Sequence, residues 1–248
     1  MIILKSKSEI EKMATACRIV AEVLEMLMHA VRPGLTTLDL DALAERGIRT
    51  RGGVPAFKGY RGFPNTLCVS VNEQVVHGIP SKRRLRAGDI VGLDLGAKWE
   101  GYYGDAAVTV PVAQVPSATQ SLLATAREAL YMGIKEVGPG KHLSDISHAI
   151  QRFAETRGYS VVRAFVGHGI GTALHEEPQV PNFGPPGRGP RLKTGMVLAI
   201  EPMVNIGDAE VEILDDGWTV VTADGQLSAH FEHTVAITDE GPQILTAL

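Results

Sequence analysis

The sequence is poor in cysteine, has no excess of charge of one sign and contains no long apolar run. Only two of its 248 residues are cysteine, too few for a disulfide framework, which favours a reducing, cytoplasmic compartment. The formal net charge of -4 gives no drive toward nucleic acid or membrane surfaces. No stretch reaches the ~18 apolar residues of a membrane span, and the apolar start is too short for a signal peptide. We therefore expect a cytoplasmic protein that binds neither nucleic acid nor membranes.

Three catalytic motifs are also missing. The chain has no Gly-x-Ser-x-Gly elbow, no phosphate-binding Gly-x-x-x-x-Gly-Lys and no Cys-x-x-Cys. What is present is the composition of a globular enzyme or binding protein, with 44% hydrophobic and 21% charged residues. A chain of this length can bury a full apolar core without disulfides or structural metals.

Apolar residues at helical spacing predict four helices, near residues 8–31, 38–51, 118–137 and 144–157. Short runs typical of β-strands occur at 66–71, 89–95, 103–110, 196–200, 218–222 and 229–237. Proline and glycine cluster at 184–190, which predicts an exposed loop.

The chain also resembles itself. Residues 31–52 match residues 137–158 at a shift of 106, and three further blocks follow in the same order. In two of these blocks, Asp94 corresponds to Glu201 and Asp105 to Glu232. The repeat predicts one domain, residues 1–248, built from halves at roughly 8–115 and 116–240 that pack around a pseudo-two-fold axis.

Four acidic residues fall at corresponding places in this repeat. A hairpin turn centred on 99–100 would set Asp94 directly opposite Asp105, about 5 Å apart, where a proton, a basic neighbour or a metal ion must neutralise them. Pseudo-symmetry would add Glu201 and Glu232, and four carboxylates balance two divalent cations. A ligand set made mostly of oxygen atoms, with some histidine nitrogen, suits Mn, Fe, Co or Zn.

Three histidines accompany the acids. His168 and His175 flank a glycine-rich segment, which we expect to loop so that both rings line one cleft, and His77 occupies the position of His175 in the other half. Cys68 near His77 is an alternative nucleophile, but its apolar strand favours a place in the pocket wall.

The residues that carry this pattern are Thr66–Glu73, His77–Pro80, Gly88–Asp94, Asp105, Gly167–Gly171, His175–Val180, Glu201–Asn205 and Leu227–His233. Taken together they resemble type I methionine aminopeptidases, and the resemblance covers essentially the whole chain. It implies an α+β pita-bread fold, which is a curved antiparallel sheet with outer helices and internal pseudo-two-fold symmetry. It also implies removal of the N-terminal methionine from nascent proteins and peptides, with a preference for a small second residue.

The resemblance further implies a role for each site residue. Two divalent ions would be held by Asp94, Asp105, His168, Glu201 and Glu232, with Asp105 and Glu232 bridging them. The ions would lower the pKa of a water molecule and polarise the scissile carbonyl. Glu201 would shuttle the proton, His175 would stabilise the oxyanion, and His77 would contact the scissile amide. The methionine side chain would lie among Tyr60, Phe63, Cys68 and Trp218.

Three residues, Arg61, Leu174 and Phe57, depart from the pattern of the bacterial members of this family. We expect all three beside the substrate cleft. Two alternatives remain. Proline-specific relatives share the fold but carry a large N-terminal domain, which we do not expect here because the catalytic pattern begins close to residue 1. A metal-free pita-bread binding protein would lack one or more of the five ligands. A monomer is the default expectation, and a transient ribosome contact stays open.

Overall fold

The computed structural model describes residues 1–247 and builds two halves, each of which begins with two helices. The elements of the first half are α1 (Lys7–Ala30), α2 (Thr37–Thr50), β1 (Val54–Pro55), β2 (Leu67–Val71), β3 (Gln74–Val76), β4 (Ile90–Trp99) and β5 (Tyr102–Pro111). The second half contains α3 (Ser117–Lys135), α4 (Leu143–Glu155), β6 (Ser160–Val161), β7 (Gly167–Gly169), β8 (Glu176–Val180), β9 (Val197–Ile200), β10 (Met203–Asn205), β11 (Val211–Ile213), β12 (Val220–Thr222), β13 (Ser228–His230), β14 (His233–Thr238) and β15 (Gly241–Ile244). The four predicted helices are confirmed, each with ends within two residues of the prediction.

The described strands pair antiparallel throughout. In the first half β4 lies between β1 and β2 and also pairs with β5, whereas the second half has the order β15-β14-β9-β7-β8. Two three-stranded sheets, β13-β10-β6 and β11-β12-β3, complete the structure. The predicted strand at 229–237 is two strands, β13 and β14, interrupted at residues 231–232.

The second helix of each half begins with the same local chemistry. The side chain of Asp39 accepts a hydrogen bond from the backbone N–H of Thr36 at 2.9 Å, and Asp145 accepts from the backbone N–H of His142 at 2.8 Å. Both contacts satisfy an N–H at the start of a helix that has no partner within the helix. Because the two pairs are 106 residues apart, the repeat in the sequence is also a repeat in structure.

Outer helices cover the sheet, and the apolar core lies between the two layers. The helices α1 and α2 bury Val20 and Leu40 against Leu93 of β4, while α3 and α4 bury Leu122 and Ile146 against the second sheet. The approach of α1 to β5 requires a glycine at residue 104, because a Cβ there would lie 2.6 Å from a backbone nitrogen of α1. The opposite face of the sheet is left for a site.

The proline- and glycine-rich segment 184–190 lies against the start of α4. The backbone N–H of Gly187 donates to Asp145 at 2.8 Å, and that of Arg188 donates to Ser144 at 2.7 Å. None of the helices within residues 1–247 combines the length and apolar character needed to cross a membrane.

Candidate metal centre

The hairpin β4–β5 carries the first two acidic residues, but not in the predicted register. Asp94 lies opposite Ala107, and Asp105 lies opposite Gly96, so the two acids are diagonal neighbours on one face. The prediction that they pair directly is wrong because the turn is made by residues 100 and 101, whose φ angles are 44° and 88°. Two central residues with positive φ form the tight turn that suits the twist of a hairpin. Diagonal neighbours on one face are still within reach of a common ligand.

The second half brings Glu201 and Glu232 to the same place. Glu201 follows directly after β9, and Glu232 lies between β13 and β14. The backbone N–H of Glu232 donates to the carbonyl of Ala107 at 2.9 Å, which joins the two halves. Thr234 adds a second contact, because its hydroxyl donates to the carbonyl of Asp105 at 2.7 Å. Asp105 and Glu232, which match in the repeat, therefore meet where the two halves join.

These four carboxyl groups are crowded and poorly solvated. Burial raises the pKa of Asp94 to about 7, and burial followed by neighbouring carboxylates raises the pKa of Asp105, Glu201 and Glu232 well above the usual range. One buried oxygen each of Asp94, Asp105 and Glu232 has no hydrogen-bond partner. Buried acceptors without donors are costly unless a cation or a proton satisfies them. The donor set therefore fits divalent metal ions.

His168 presents a free nitrogen to this acidic cluster. Its Nδ1 lies 2.9 Å from the carbonyl oxygen of Gly169, which can only accept, so Nδ1 carries the ring proton. Its Nε2 then directs a lone pair toward Glu201 Oε1 at 3.5 Å and Asp105 Oδ2 at 3.9 Å. Burial lowers the pKa of His168 to about 4, which keeps the ring neutral. A neutral imidazole held through its second nitrogen is the usual form of a metal-binding histidine.

Ligand atoms from Asp105, His168 and Glu232 all lie within 4.8 Å of one another. These three side chains come from β5, β7 and the segment between β13 and β14, so both halves contribute. Asp94 and Glu201 lie beside them and line the same cavity, whose volume is about 140 Å³. The structure thus brings together all five predicted ligand positions.

His230 belongs to this cluster and was not predicted. Its side chain is 4% exposed, its Nε2 has no hydrogen-bond partner, and that atom lies 3.8 Å from Glu201 Oε2. Burial lowers the pKa of His230 to about 3, so the ring is neutral. The signal was present in the sequence, because His230 lies two residues before Glu232 and alternation puts both on one side of the chain.

His175 lies over the rim of the cluster, as expected from the glycine-rich segment. Its ring centroid is 4.1 Å from that of His168, and it stacks on Tyr60 at 5.3 Å with an angle of 21° between the rings. The Nδ1 atom of His175 and the hydroxyl of Tyr60 are 2.9 Å apart and share a hydrogen bond. The other nitrogen of His175 is left for a ligand in the cleft.

Aromatic side chains form the apolar wall of the cavity. Trp218 meets Phe63 edge to face at a centroid distance of 5.1 Å and meets His77 at 6.2 Å. His77 also contacts Phe165 at 5.6 Å. Cys68 also lies in this wall. This is the place that the sequence favours for Cys68 over a role as a nucleophile. Burial and then Asp94 raise the pKa of the Cys68 thiol well above its usual range, so it is a poor nucleophile.

The three residues that depart from the bacterial pattern, Phe57, Arg61 and Leu174, also line this cavity. Phe57 and Leu174 are buried, at 8% and 2% exposure. Arg61 is exposed and holds a φ of 49°, and its guanidinium lies 5.4 Å from the centroid of the Tyr60 ring. Arg61 therefore places a positive charge at the rim of the cavity.

The sequence matches metallopeptidase family M24 over residues 11–239. It is 54% identical over 246 residues to a protein of Bacillus subtilis (strain 168) named methionine aminopeptidase 1, with 99% of each chain covered. It is 53% identical over 248 residues to the methionine aminopeptidase of Clostridium perfringens, with 100% of each chain covered.

Solved structures agree with these sequence relations. The methionine aminopeptidase of Thermotoga maritima superposes with a TM-score of 0.99 at 48% identity, and 100% of each chain is covered. The prolidase of Pyrococcus furiosus, at 24% identity, shares the fold with a TM-score of 0.82, and the chain covers 66% of it. The predicted pita-bread fold is therefore confirmed.

Proposed function

Because this chain belongs to metallopeptidase family M24, we propose that its cavity is the active site of a methionine aminopeptidase. The enzyme removes the N-terminal methionine from polypeptides in a metal-dependent reaction. The observation that carries this function is the group of buried carboxylates whose oxygens lack donors, set beside the free Nε2 of His168. The relatives named methionine aminopeptidase match the chain from end to end, which favours this activity over that of the prolidases.

We propose that two divalent ions bind here and that Asp94, Asp105, His168, Glu201 and Glu232 would hold them. Two such ions carry the charge needed to offset the four carboxylates, and Mn, Fe, Co and Zn all suit this mixed oxygen and nitrogen donor set. When bound, the ions activate a water molecule and polarise the scissile carbonyl.

The remaining steps fall to side chains of this chain. Glu201, with its raised pKa, would accept a proton from the attacking water and pass it to the leaving amine. His175 would donate to the carbonyl oxygen as negative charge develops on it. His77 would contact the scissile amide from the opposite wall, where its contact with Trp218 fixes the ring.

The apolar wall determines which side chain enters. Tyr60, Phe63, Cys68 and Trp218 would enclose the methionine side chain, since aromatic rings and sulfur make favourable contacts with a thioether. The cavity of about 140 Å³ is lined by these rings and by the carboxylates, and the free α-amine of the first residue would bind at the metal centre. The reaction is thus limited to the first residue of a chain.

Release of free methionine from Met-Ala-Ser and Met-Lys-Ser tests this function. The peptides are offered to chelated protein and again after addition of Co, Mn, Fe or Zn. We expect metal-dependent cleavage, with Met-Ala-Ser preferred because a small second residue clears the rim. Equal cleavage of both peptides would indicate that Phe57, Arg61 and Leu174 widen the substrate cleft. Absence of cleavage with every metal, from folded protein, would favour a binding protein instead.

The wider setting is also part of the proposal. The substrates would be nascent polypeptide N-termini in the cytoplasm, met by a monomeric enzyme whose single catalytic domain consists of the two halves at 8–115 and 116–240. A transient contact with the ribosome would bring enzyme and substrate together. Co-sedimentation of the protein with ribosomes, compared with its sedimentation alone, tests that contact.

A further inference from the structure

One buried ion pair lies outside the cluster of carboxylates. Lys5 Nζ and Glu176 Oε2 are 2.6 Å apart, and their side chains are 3% and 6% exposed. The other ion pairs of Lys or Arg within residues 1–247 join side chains that are at least 25% exposed. Burying two charges is costly, and exposed pairs contribute little, so a single buried pair needs a local explanation.

The acidic member of the pair organises the segment that carries His175. We define the histidine loop as residues 170–175, between β7 and β8. The second carboxylate oxygen of Glu176 accepts hydrogen bonds from the backbone N–H of Ala173 at 3.1 Å and from the hydroxyl of Thr172 at 3.4 Å. Burial raises the pKa of Glu176, but the hydrogen bonds from Lys5 and Ala173 outweigh it and lower the pKa below its usual value. Glu176 is therefore an ionised anchor for the loop.

The basic member connects that anchor to the sheet. The backbone N–H of Lys5 donates to the carbonyl of Gly195 at 2.7 Å, just before β9, the strand that leads to Glu201. Its ammonium group donates to Ile3 at 3.2 Å as well as to Glu176. The histidine loop is thus linked through two side chains to the strand that positions another catalytic group.

Gly171 shows how closely the loop fits around this pair. A Cβ at residue 171 would lie 2.5 Å from Lys5 Cε and 2.7 Å from Glu176 Oε1. The backbone carbonyl of Gly171 accepts from the N–H of Tyr103 at 2.9 Å, which holds the other side of the loop. The loop is therefore enclosed between the hairpin β4–β5 and the ion pair.

We propose that Lys5 and Glu176 are positioning residues that hold His175 over the scissile carbonyl. This inference rests on the proposed function, because it concerns the oxyanion contact of that reaction. Neither residue touches the substrate, and each acts through the histidine loop. A group displaced by about 1 Å can lose about 100-fold in rate, so release of the loop reduces turnover rather than metal binding.

The test compares Lys5→Met and Glu176→Gln with the control Lys12→Met. Lys12 pairs with Glu100 at 3.5 Å, but those side chains are 46% and 53% exposed. For Lys5→Met and Glu176→Gln we expect kcat for Met-Ala-Ser to fall about 10- to 100-fold, with KM and bound metal little changed. Lys12→Met should retain the kcat of the unmodified protein. Retention of kcat within about 2-fold by Lys5→Met and Glu176→Gln would overturn the proposal.

A double-variant cycle separates positioning from general stability. If Lys5 acts through His175, then Lys5→Met should cost no further activity in a His175→Ala background. An additive loss would assign Lys5 a role unrelated to His175 and would contradict the proposal.

Hydrogen exchange provides a readout that does not depend on activity. In Lys5→Met, exchange should become faster in the histidine loop and stay unchanged in α3 and α4. Unchanged exchange in the loop would refute the positioning role even if the variant were inactive. If the unmodified protein released no methionine with any metal, the proposed function would fail, whereas the exchange experiment would still decide whether the pair holds the loop.

Discussion

Removal of the charge at Asp94 should stabilise the metal-free protein at high pH and much less at low pH. One oxygen of Asp94 is buried without a donor, and burial raises its pKa from 3.8 to about 7. The folded protein therefore keeps this proton at pH values where the unfolded chain has lost it. Because the folded pKa is the higher one, the free energy of unfolding falls as pH rises from about 4 to about 7. Asp94→Asn has the same shape and no charge, so it escapes this loss.

The size of the effect follows from the two pKa values. The free energy of unfolding that is lost through Asp94, relative to low pH, is equivalent to about 1 pKa unit at pH 5 and to about 3 pKa units at pH 8. One pKa unit is 1.36 kcal/mol, so the stability advantage of Asp94→Asn over the parent protein should grow by about 2–3 kcal/mol from pH 5 to pH 8. For a chain of this size that is about 5–10 °C in Tm. Asp94 also raises the pKa of Asp105, Glu201 and Glu232, so Asp94→Asn lowers these pKa values as well and changes stability in the same direction.

Urea unfolding in the presence of a chelator, at pH 5, 6.5 and 8, measures the gap between the free energies of unfolding of Asp94→Asn and the parent protein. Asp215→Asn is the matched control for the loss of an acidic side chain, because Asp215 is exposed in the turn between β11 and β12. A constant gap between Asp94→Asn and the parent would refute the reasoning, since it would mean that Asp94 is well solvated in the folded state.

Three further predictions concern the same cavity. Glu232→Ala should lose bound metal and turnover while keeping the fold, because it removes a carboxylate from the centre of the cluster; substantial methionine release at unchanged metal content, by elemental analysis, would contradict a two-ion site. Metal binding should release protons and strengthen as pH rises, because carboxyl groups with raised pKa must ionise to bind; calorimetry at pH 6 in buffers of different ionisation enthalpy measures this, and identical heats would argue against it. Trp218→Ala should raise KM for Met-Ala-Ser more than it lowers kcat, since Trp218 forms the apolar wall with Phe63; steady-state kinetics decide, and a loss confined to kcat would place Trp218 in the chemical step.

The helices were predictable because each buries one face of a regular period. Residues such as Met13, Cys17 and Val20 recur at helical spacing in α1 and are fully buried in the structure. The acids of the site were predictable for a different reason, namely that the repeat placed them at matching positions. Periodicity and repetition are properties of the chain itself and need no knowledge of tertiary contacts.

The register of the hairpin was harder to predict. A turn at 99–100 and a turn at 100–101 both fit the alternation of apolar residues, and the choice depends on Gly101, which adopts a φ of 88°. A shift of the turn centre by one residue moves each pairing by two positions along one strand, so Asp105 pairs with Gly96 instead of Asp94. Both acids stay on the same face, and the predicted site survives the error.

The strands β7 and β8 lay beyond reach of the sequence, and so did the contact between His230 and Glu201. The strand β7 is three residues long and contains two glycines, so it has no alternation to detect. The side chain of His230 gains its meaning only from Glu201, which is distant in the sequence and 3.8 Å away in space. The pair of Lys5 and Glu176 was hidden for the same reason, since 171 residues separate its members.

We propose that five side chains from both halves hold two metal ions that the reaction requires. Anomalous diffraction from crystals of the protein grown with Mn or Co tests it most directly. We predict two anomalous peaks within the cavity, with the carboxylates of Asp105 and Glu232 contacting both and His168 contacting one. A cavity without anomalous density, in crystals of protein that releases methionine, would contradict a metal site at these residues.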